Sequence, residues 1–485
     1  MDLQTGRLRD LWRFPGLSFA LLLATAVVAV DHNRGFDVVL AVASVLALAA
    51  WGLERWRRRP LDGAHGIDTE HADAPTRRER TQGSRAVELL LYLSPVLLLG
   101  IAYPLASSRL AHHHVGGVPL TTLLLASSVT VPWLTQAVCL PLYKAVAVQI
   151  EEGDSSKLRD RLCDVWPSAF LRCLPTVAVF AVPVELSARW SPSALGTYVA
   201  LCALYVAFAQ SLILSIVNRN RRLWALGWGS LAATLLVAPS LWYLPPLVAL
   251  ATQLLPLRRH LYRMARPVSI ERGEVLTDLV RGLLLGSVLW ADKLLLFVKD
   301  GSHFAITTVF LGLLPAILAY NYYFVHLAPR FDSSVGELRA AMEHEPYSRL
   351  AERSKAVSQY VAYSLHRTGL AAAALVLAVT TISAIATPSS LPLITTVAIA
   401  SWLFMMTTLL CYKLDYIGQR ALAQRYSAAH LVGCILAFAL FHVGAGLYGW
   451  LIGMEAVIFM GAFYSVGVHW RSSEYNLFWR HATAW

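Results

Sequence analysis

Residues 258–297 read RRHLYRMARPVSIERGEVLTDLVRGLLLGSVLWADKLLLF. A basic segment at 258–274 is followed by a mostly apolar segment at 275–297, which as a helix is long enough to cross about 30 Å of hydrocarbon. Apolar and polar segments alternate in this way along the whole chain. The pattern predicts about fourteen membrane-spanning helices, at 11–30, 35–53, 86–106, 118–140, 166–186, 194–217, 223–239, 240–257, 275–297, 303–328, 369–387, 391–412, 427–449 and 450–470.

The basic residues are distributed unevenly between the two sides of the predicted membrane. Of the 41 Lys and Arg residues, 33 lie in the tails and alternate gaps that are cytoplasmic if the N-terminus is inside. The outward gaps contain only Arg34, Arg109, Arg189 and Lys299. This is the positive-inside distribution of an integral membrane protein. We therefore predict an all-α polytopic protein with both termini in the cytoplasm.

The composition excludes an ordinary soluble globular protein, because 56% of the 485 residues are hydrophobic and only 15% are charged. Loops that face anionic lipid headgroups explain the net charge of +11. We therefore expect membrane lipids, and no nucleic acid, as the partners of these charges. The six cysteines occur singly, which predicts packing residues rather than disulfides or metal ligands; they are Cys139, Cys163, Cys173, Cys202, Cys411 and Cys434.

Two polar segments divide the chain into three groups of helices. The segment 54–85 is basic at both ends and has almost nothing to bury, so we predict a flexible cytoplasmic linker after a two-span unit at 1–53. The cytoplasmic segment 258–274 separates a first six-helix bundle at 86–257 from a second at 275–485. Two facing six-helix bundles are a common plan for transporters, with a site between them near the midplane.

Two charged segments, 149–165 and 329–367, have the pattern of helices that lie on the cytoplasmic membrane surface. In the second, Phe331, Val335 and Leu338 recur at helical spacing among charged residues. Solvated helix faces explain both segments, and a docking surface for a soluble partner is the alternative.

The span 275–297 holds four charged residues, and charges inside spans are expensive and mark functional sites by default. Asp278 and Arg281 are three residues apart near the inner end, so they lie on one helix face and can pair. Asp292 and Lys293 are adjacent near the outer end, so at least one of them faces another helix or a water-filled cavity. The alternative is that Lys293 extends to the outer headgroups while Asp292 bonds a neighbouring helix.

Gln136 is the fifth main candidate for a transport path, and four further residues are secondary candidates. Gln136 is polar within a span that contains prolines, and broken helices in transporters often line cavities. Lys144 lies at an inner helix end. His442 and Glu455 lie near outer ends on either side of a short connection, where a mutual hydrogen bond and a role in proton coupling are both open. Trp290 precedes the outer charged pair.

Motifs for enzymes and cofactors are missing from the sequence. It contains no G-x-x-x-x-G-K-[ST] loop, no G-x-S-x-G elbow and no H-E-x-x-H. The triplet at 112–114 consists of three consecutive histidines, whose side chains diverge too much to bind one ion together. We therefore expect no catalytic site, no metal and no cofactor.

Three stretches resemble the Pel-type exopolysaccharide transporters, which are related to the multidrug/oligosaccharidyl-lipid/polysaccharide (MOP) flippases. Residues 286–297, GSVLWADKLLLF, are similar to the family's G-I-W-x-D-K motif at the start of the second lobe. Residues 314–332, LPAILAYNYYFVHLAPRFD, resemble the next span and its charged exit, and residues 134–144, LTQAVCLPLYK, resemble the second span of the first lobe. The exit departs from the family, because Arg330 and Phe331 precede Asp332 where the family has an acidic residue and Thr.

The resemblance covers about 85–485 and implies a two-lobed carrier of the bacterial plasma membrane that works by alternating access. Its implied substrate is a polysaccharide or glycan made by a cytoplasmic glycosyltransferase partner. Two other functions stay open: a membrane scaffold that anchors a glycosyltransferase without transport, and a membrane enzyme that acts on a lipid-linked sugar. The second is disfavoured, because acidic and histidine clusters are missing from the sequence.

Overall fold

The computed structural model describes residues 91, 93–218, 220–301, 306–386 and 388–482. The predicted two-span unit at 1–53 and the predicted linker at 54–85 lie outside the described residues.

The described chain is almost entirely helical, with one two-stranded antiparallel hairpin in which β1 (His114–Val115) pairs with β2 (Val118–Pro119). The helices are α1 (Ser94–Ala111), α2 (Leu120–Val138), α3 (Leu140–Ala145), α4 (Ala147–Glu152), α5 (Ser155–Ala188), α6 (Pro192–Val217), α7 (Arg221–Val237), α8 (Leu244–Leu254), α9 (Arg272–Asp300), α10 (Ile306–Tyr322), α11 (Ala328–His344), α12 (Tyr347–Ala386), α13 (Leu391–Tyr416), α14 (Arg420–Leu440), α15 (Ala445–Arg471) and α16 (Ser473–Ala482).

Each of the twelve spans predicted after residue 85 overlaps a different helix, although the span 427–449 runs past the end of α14 at Leu440 into the start of α15 at Ala445. Seven segments of the described residues are long and apolar enough to cross a membrane. They are Leu120–Ala145, Ser155–Ala188, Pro192–Val217, Thr308–Met342, Tyr347–Ala386, Pro388–Tyr416 and Ala445–Arg471. The chain is therefore a multi-pass membrane protein, while the count of fourteen spans and the direction of each one stay predictions.

The sequence predicted one surface helix over 149–165, but the structure divides this segment between the short helix α4, which ends at Glu152, and the start of α5. Asp154 caps α5 by accepting hydrogen bonds from the backbone N–H groups of Ser156 and Lys157, at 2.9 and 3.2 Å. The N–H groups of Lys157 and Ser156 lower the pKa of the Asp154 carboxyl. From this cap α5 continues without interruption to Ala188, so residues 155–165 extend a helix that is long and apolar enough to span a membrane.

The segment 329–367 was also predicted wrongly, because its apolar stripe is covered by protein and not by lipid. A π-helical turn at Tyr323–Leu327 joins α10 to α11. Phe331 on α11 is buried, with its ring centroid 4.9 Å from that of Tyr416 and 5.3 Å from that of Trp470. Beyond α11, the rest of the segment is the inner part of α12.

The helix α13 is the centre of the second bundle. It is apolar on all faces, and 94% of its most apolar 18-residue stretch is buried inside the protein. The helices α9, α10, α12, α14 and α15 all pack against it. Polar groups that these helices turn towards α13 are consequently shielded from lipid.

The predicted bundles meet where α2 packs on α9. Gly282 and Gly286 lie four residues apart on α9, the small-residue spacing that lets membrane helices approach closely. A methyl group added at Gly282 would overlap the backbone of Ala137, and one at Gly286 would lie 2.9 Å from the Trp133 ring. The Trp133 indole N–H also donates to the Leu283 carbonyl at 2.8 Å. We call this contact the α2–α9 seam.

The segment 258–274 between the bundles is docked against the inner part of α5. The Arg263 guanidinium donates two hydrogen bonds to the Asp164 carboxylate, at 2.8 and 2.7 Å, and these raise the pKa of Arg263 above its usual range. His260 Nδ1 lies 2.6 Å from Asp160 Oδ1. The connection between the bundles is therefore held to the first bundle.

Candidate functional site

The two charged residues near the inner end of α9 do not pair with each other, which corrects the sequence-based prediction. Arg281 forms an ion pair with Asp415 near the end of α13. Asp278 lies 3.7 Å from Lys144 Nζ on α3, and the same ammonium is 3.2 Å from Glu274 Oε1. The spacing of three residues permits a pair within one helix, but both side chains have partners on neighbouring helices.

Lys144 thus links the first predicted bundle to the N-terminal end of α9, next to the seam. Its side chain is 53% exposed and that of Glu274 is 50% exposed. An ion pair as exposed as this contributes only about 0–1 kcal/mol. Water can replace it at little cost when the helices move.

The two charged residues near the outer end of α9 form a buried pair with each other. Lys293 Nζ lies 2.9 Å from Asp292 Oδ1, and the side chains are 1% and 0% exposed. The ammonium also donates to Ser401 Oγ at 3.2 Å, and the Tyr448 hydroxyl donates to Asp292 Oδ2 at 3.3 Å. The prediction that Lys293 extends to the outer headgroups is therefore wrong, whereas Asp292 does bond a neighbouring helix, α15.

The partner of Glu455 is His430 and not His442, which corrects a second predicted pair. His430 Nδ1 lies 2.6 Å from Glu455 Oε2, and both side chains are fully buried. His430 Nε2 is 3.3 Å from Cys434 Sγ. His442 is exposed beyond the end of α14.

These contacts form one polar region inside the second bundle, which we call the buried cluster. Phe404 on α13 joins its two halves: Lys293 Nζ lies 5.2 Å from the ring centroid, and the His430 ring centroid lies 4.9 Å from it. The members come from four helices and are Asp292, Lys293, Ser401, His430, Cys434, Tyr448 and Glu455.

Sequence reasoning missed His430, Ser401 and Tyr448. A signal for His430 was available, because an ionisable side chain in the middle of an apolar span is costly wherever it occurs. Ser401 and Tyr448 carried no such signal, since hydroxyl groups are frequent in membrane helices. Their roles depend on which helices meet.

Gln136 makes a hydrogen bond across the two predicted bundles. Its side-chain oxygen accepts from the Tyr412 hydroxyl on α13 at 2.7 Å. Next to Tyr412 lies Phe324, with ring centroids 6.1 Å apart, and Phe324 is 4.7 Å from Tyr320. All four side chains are half-buried. We call these four residues the seam ladder.

Trp290 and Lys413 belong to neither the buried cluster nor the seam ladder. Trp290 is half-buried and packs against the apolar core. Lys413, which sequence reasoning passed over, is buried on α13 with its Nζ 2.9 Å from the centroid of the Phe331 ring. In the described part of the chain, that ammonium has no hydrogen-bond partner.

The described residues contain no group of three or more His, Cys, Asp or Glu side chains that could hold a metal ion. An open groove of about 890 Å³ lies between α14 and α15, away from the buried cluster. Its lining is apolar, which suits lipid chains; it includes Ala428, Val432, Leu436, Trp450, Met454 and Val457.

Comparisons with known proteins give no assignment for this chain. No family model matches it, and no curated protein matches it. A solved inward-facing structure of a multidrug resistance MATE family transporter of the MOP superfamily aligns with 80% of this chain and 98% of its own, at 13% identity and a TM-score of 0.41. An outward-facing structure of such a transporter aligns with 80% of this chain and 96% of its own, at 12% identity and a TM-score of 0.37. These alignments are too weak to assign a function, which therefore rests on the residues described above.

Proposed function

We propose that the chain is a plasma-membrane transporter that exports or flips a glycan or polysaccharide by alternating opening of its two helical bundles. The observation that supports this is the set of hydrogen-bonding groups between and within helices that are apolar enough to span a membrane. Such groups are costly in a bilayer, and they are typically kept where a polar substrate or ion passes. A protein that only anchored a partner would have no need of them.

The seam ladder fits the chemistry of sugars. A sugar ring presents C–H faces, which pack against aromatic rings, and hydroxyl groups, which form directional hydrogen bonds. Binding sites for small polar molecules combine aromatic walls with a few placed polar groups in this way. Tyr320, Phe324 and Tyr412 supply the rings, and Gln136 supplies an amide beside them.

The α2–α9 seam fits the role of a pivot between the bundles. Glycine packing and the Trp133–Leu283 hydrogen bond hold α2 on α9 at close range. The Gln136–Tyr412 hydrogen bond is a weaker link to α13, contributing about 1 kcal/mol. Rotation about the seam would therefore separate the seam ladder while α2 and α9 stay in contact.

A cytoplasmic glycosyltransferase is the proposed partner, because a glycan must be made before it is exported. The polar face of α11, with Glu337 and Arg339, is exposed, while its apolar face is buried. That face is available for a soluble protein at the inner membrane surface.

Export of cell-surface glycan by cells that carry single variants tests the proposal. We expect Tyr412→Phe and Gln136→Leu each to lower export about fivefold, because each removes the Gln136–Tyr412 hydrogen bond, which contributes about 1 kcal/mol. The matched control is Tyr464→Phe on α15, whose side chain is 73% exposed on the outer surface of the bundle. Wild-type export from both seam-ladder variants, at normal protein abundance, would exclude the ladder from the transport path.

Cysteine labelling with a membrane-impermeant maleimide separates transport from scaffolding. We expect Trp290→Cys to be labelled from water in at least one condition, because Trp290 is only half-buried close to the seam. Leu436→Cys, on the apolar groove, should stay protected. Protection at both positions in every condition would support a scaffold.

A further inference from the structure

The His430–Glu455 pair is set deep in the second bundle. His430 is near the middle of α14, and Glu455 is ten residues from the outer end of α15, roughly 15 Å along the helix axis at 1.5 Å per residue. Both side chains are fully buried and their closest atoms are 2.6 Å apart. An unbalanced charge on a carboxyl group or an imidazole so far from water would cost much more free energy than a neutral pair.

We propose that the His430–Glu455 pair is a proton-binding site, which holds one proton while the second bundle excludes water. Asp292 and Lys293 neutralise each other at 2.9 Å, so neither of them balances a charge on this pair. An ionised Glu455 beside a neutral His430 would leave one net negative charge in the buried cluster. One added proton on the pair makes the cluster neutral.

The hydrogen bonds place that proton between Glu455 Oε2 and His430 Nδ1. Within the described residues, Glu455 Oε1 has no hydrogen-bond partner. A carboxylate with a bare oxygen is much less stable in an apolar interior than a carboxylic acid with a bare carbonyl oxygen. The acid therefore donates from Oε2 to Nδ1, and the remaining imidazole N–H at Nε2 points to Cys434 Sγ, 3.3 Å away.

The surrounding titratable groups do not supply a competing positive charge. On the 286–300 half of α9 the charged groups are Asp292 and Lys293, which are paired with each other, and Lys299 and Asp300 at the helix end, where the Lys299 ammonium donates to the Phe438 and Phe441 carbonyls at the end of α14. Thiol and phenol groups come from Cys411 on α13, Cys434 on α14 and Tyr448 on α15. The outer half of α12, 368–386, contains no titratable residue. A proton is thus the one cation that this set of groups provides for.

The use of this proton rests on the proposed function. The pair gives up its proton only to water, and water reaches it only if the helices around it separate. A proton taken up from one side of the membrane and released to the other would link the opening of the bundle to the proton gradient. The proton-binding site itself does not depend on what is transported.

Unfolding of the purified full chain in detergent, followed as a function of pH, tests the site. Above the ordinary titration range of histidine, the unfolded chain has lost this proton while the folded pair keeps it. The stability that this site contributes is therefore complete below about pH 6.5 and falls as the pH rises above that value, with the unfolding equilibrium constant increasing about tenfold per pH unit. We expect Glu455→Gln to lose this dependence, because its amide keeps the pair neutral without a titrating proton, whereas the control His442→Gln should keep it.

Equal pH dependence of wild type and Glu455→Gln would overturn the inference. Should that variant fail to fold, infrared spectra of the wild-type chain labelled with ¹³C-glutamate decide the question. We expect a label-shifted carboxylic-acid C=O band at neutral pH, and its absence would show that Glu455 is ionised. Neither measurement needs transport, so failure of this site and failure of the proposed function are distinguishable.

Discussion

Replacing Lys293 by Met should destabilise the protein strongly, because it leaves the Asp292 carboxylate buried without its counter-charge. The ammonium and the carboxylate are 2.9 Å apart, and the two side chains are 1% and 0% exposed. Breaking a buried pair by removing one partner costs about 3–5 kcal/mol. Replacing both partners by neutral residues of similar size is close to neutral, so Asp292→Asn with Lys293→Met should lie within about 1–2 kcal/mol of wild type.

The measurement is reversible unfolding of the purified chain by sodium dodecyl sulfate titrated into mild detergent micelles, followed by helix content. Four proteins complete a double-mutant cycle: wild type, the two single variants and the double variant. Lys144→Met is the control, because its half-exposed ammonium should be worth no more than about 1 kcal/mol. We expect a coupling energy of at least about 3 kcal/mol between Asp292 and Lys293.

Additive effects in that cycle would refute the reasoning. If the double variant were destabilised by the sum of the single variants, Asp292 and Lys293 would not compensate each other's charge. A loss below about 1 kcal/mol for Lys293→Met would contradict it equally, since a buried uncompensated carboxylate cannot be that stable.

Two further substitutions test the packing around α9 and α13. Gly282→Leu should lower the free energy of unfolding by about 1–3 kcal/mol, because a side chain there overlaps the α2 backbone. Gly229→Leu on α7 meets open space and should not destabilise the protein, and the same titration compares the two variants. Equal stability of the two variants would show that the seam is not closely packed. Lys413→Met should raise the free energy of unfolding by about 1 kcal/mol, because the buried ammonium packs on aromatic rings and lacks a hydrogen bond among the described residues. A loss of stability would mean that the charge of Lys413 is compensated.

The helices could be predicted from the sequence because hydropathy is a local property. All twelve spans predicted after residue 85 fall on helices, and the polar segments lie between them or extend them. The same local reasoning identified the unusual charge content of 275–297. Asp292 and Lys293 are adjacent, so the sequence already placed them together, although it did not show that they form a buried pair.

The partners of charged residues could not be predicted, because they depend on which helices meet. Arg281 has Asp278 three residues away in sequence but pairs with Asp415 on α13. Glu455 has His442 across a short connection but pairs with His430, about three helical turns further back on α14. In both cases the nearest candidate in sequence was the wrong one.

The apolar stripe of 329–342 was misassigned for a different physical reason. An amphipathic helix buries its apolar face equally well against lipid or against protein, and the sequence pattern is the same in both cases. In the structure, Phe331 packs on Tyr416 and Trp470, which lie at the inner ends of α13 and α15. Only the position of those two ends decides between lipid and protein.

The Asp292–Lys293 pair allows this part of α9 to shift against its neighbours without separating opposite charges. The two residues carry their compensation on one helix, and hydrogen bonds of 3.3 and 3.2 Å join them to α15 and α13. Two ion pairs cross between helices, Arg281 with Asp415 and Lys144 with Glu274. Water can replace a lost partner at little cost in the second, which is half-exposed, but not in the first, whose side chains are only 16% and 12% exposed. A pivot helix that bore its interior counter-charge on another helix would face a cost of several kcal/mol at each movement. The Asp292–Lys293 pair is therefore compatible with the proposed movement about the α2–α9 seam, whereas the buried Arg281–Asp415 pair favours α9 and α13 moving together.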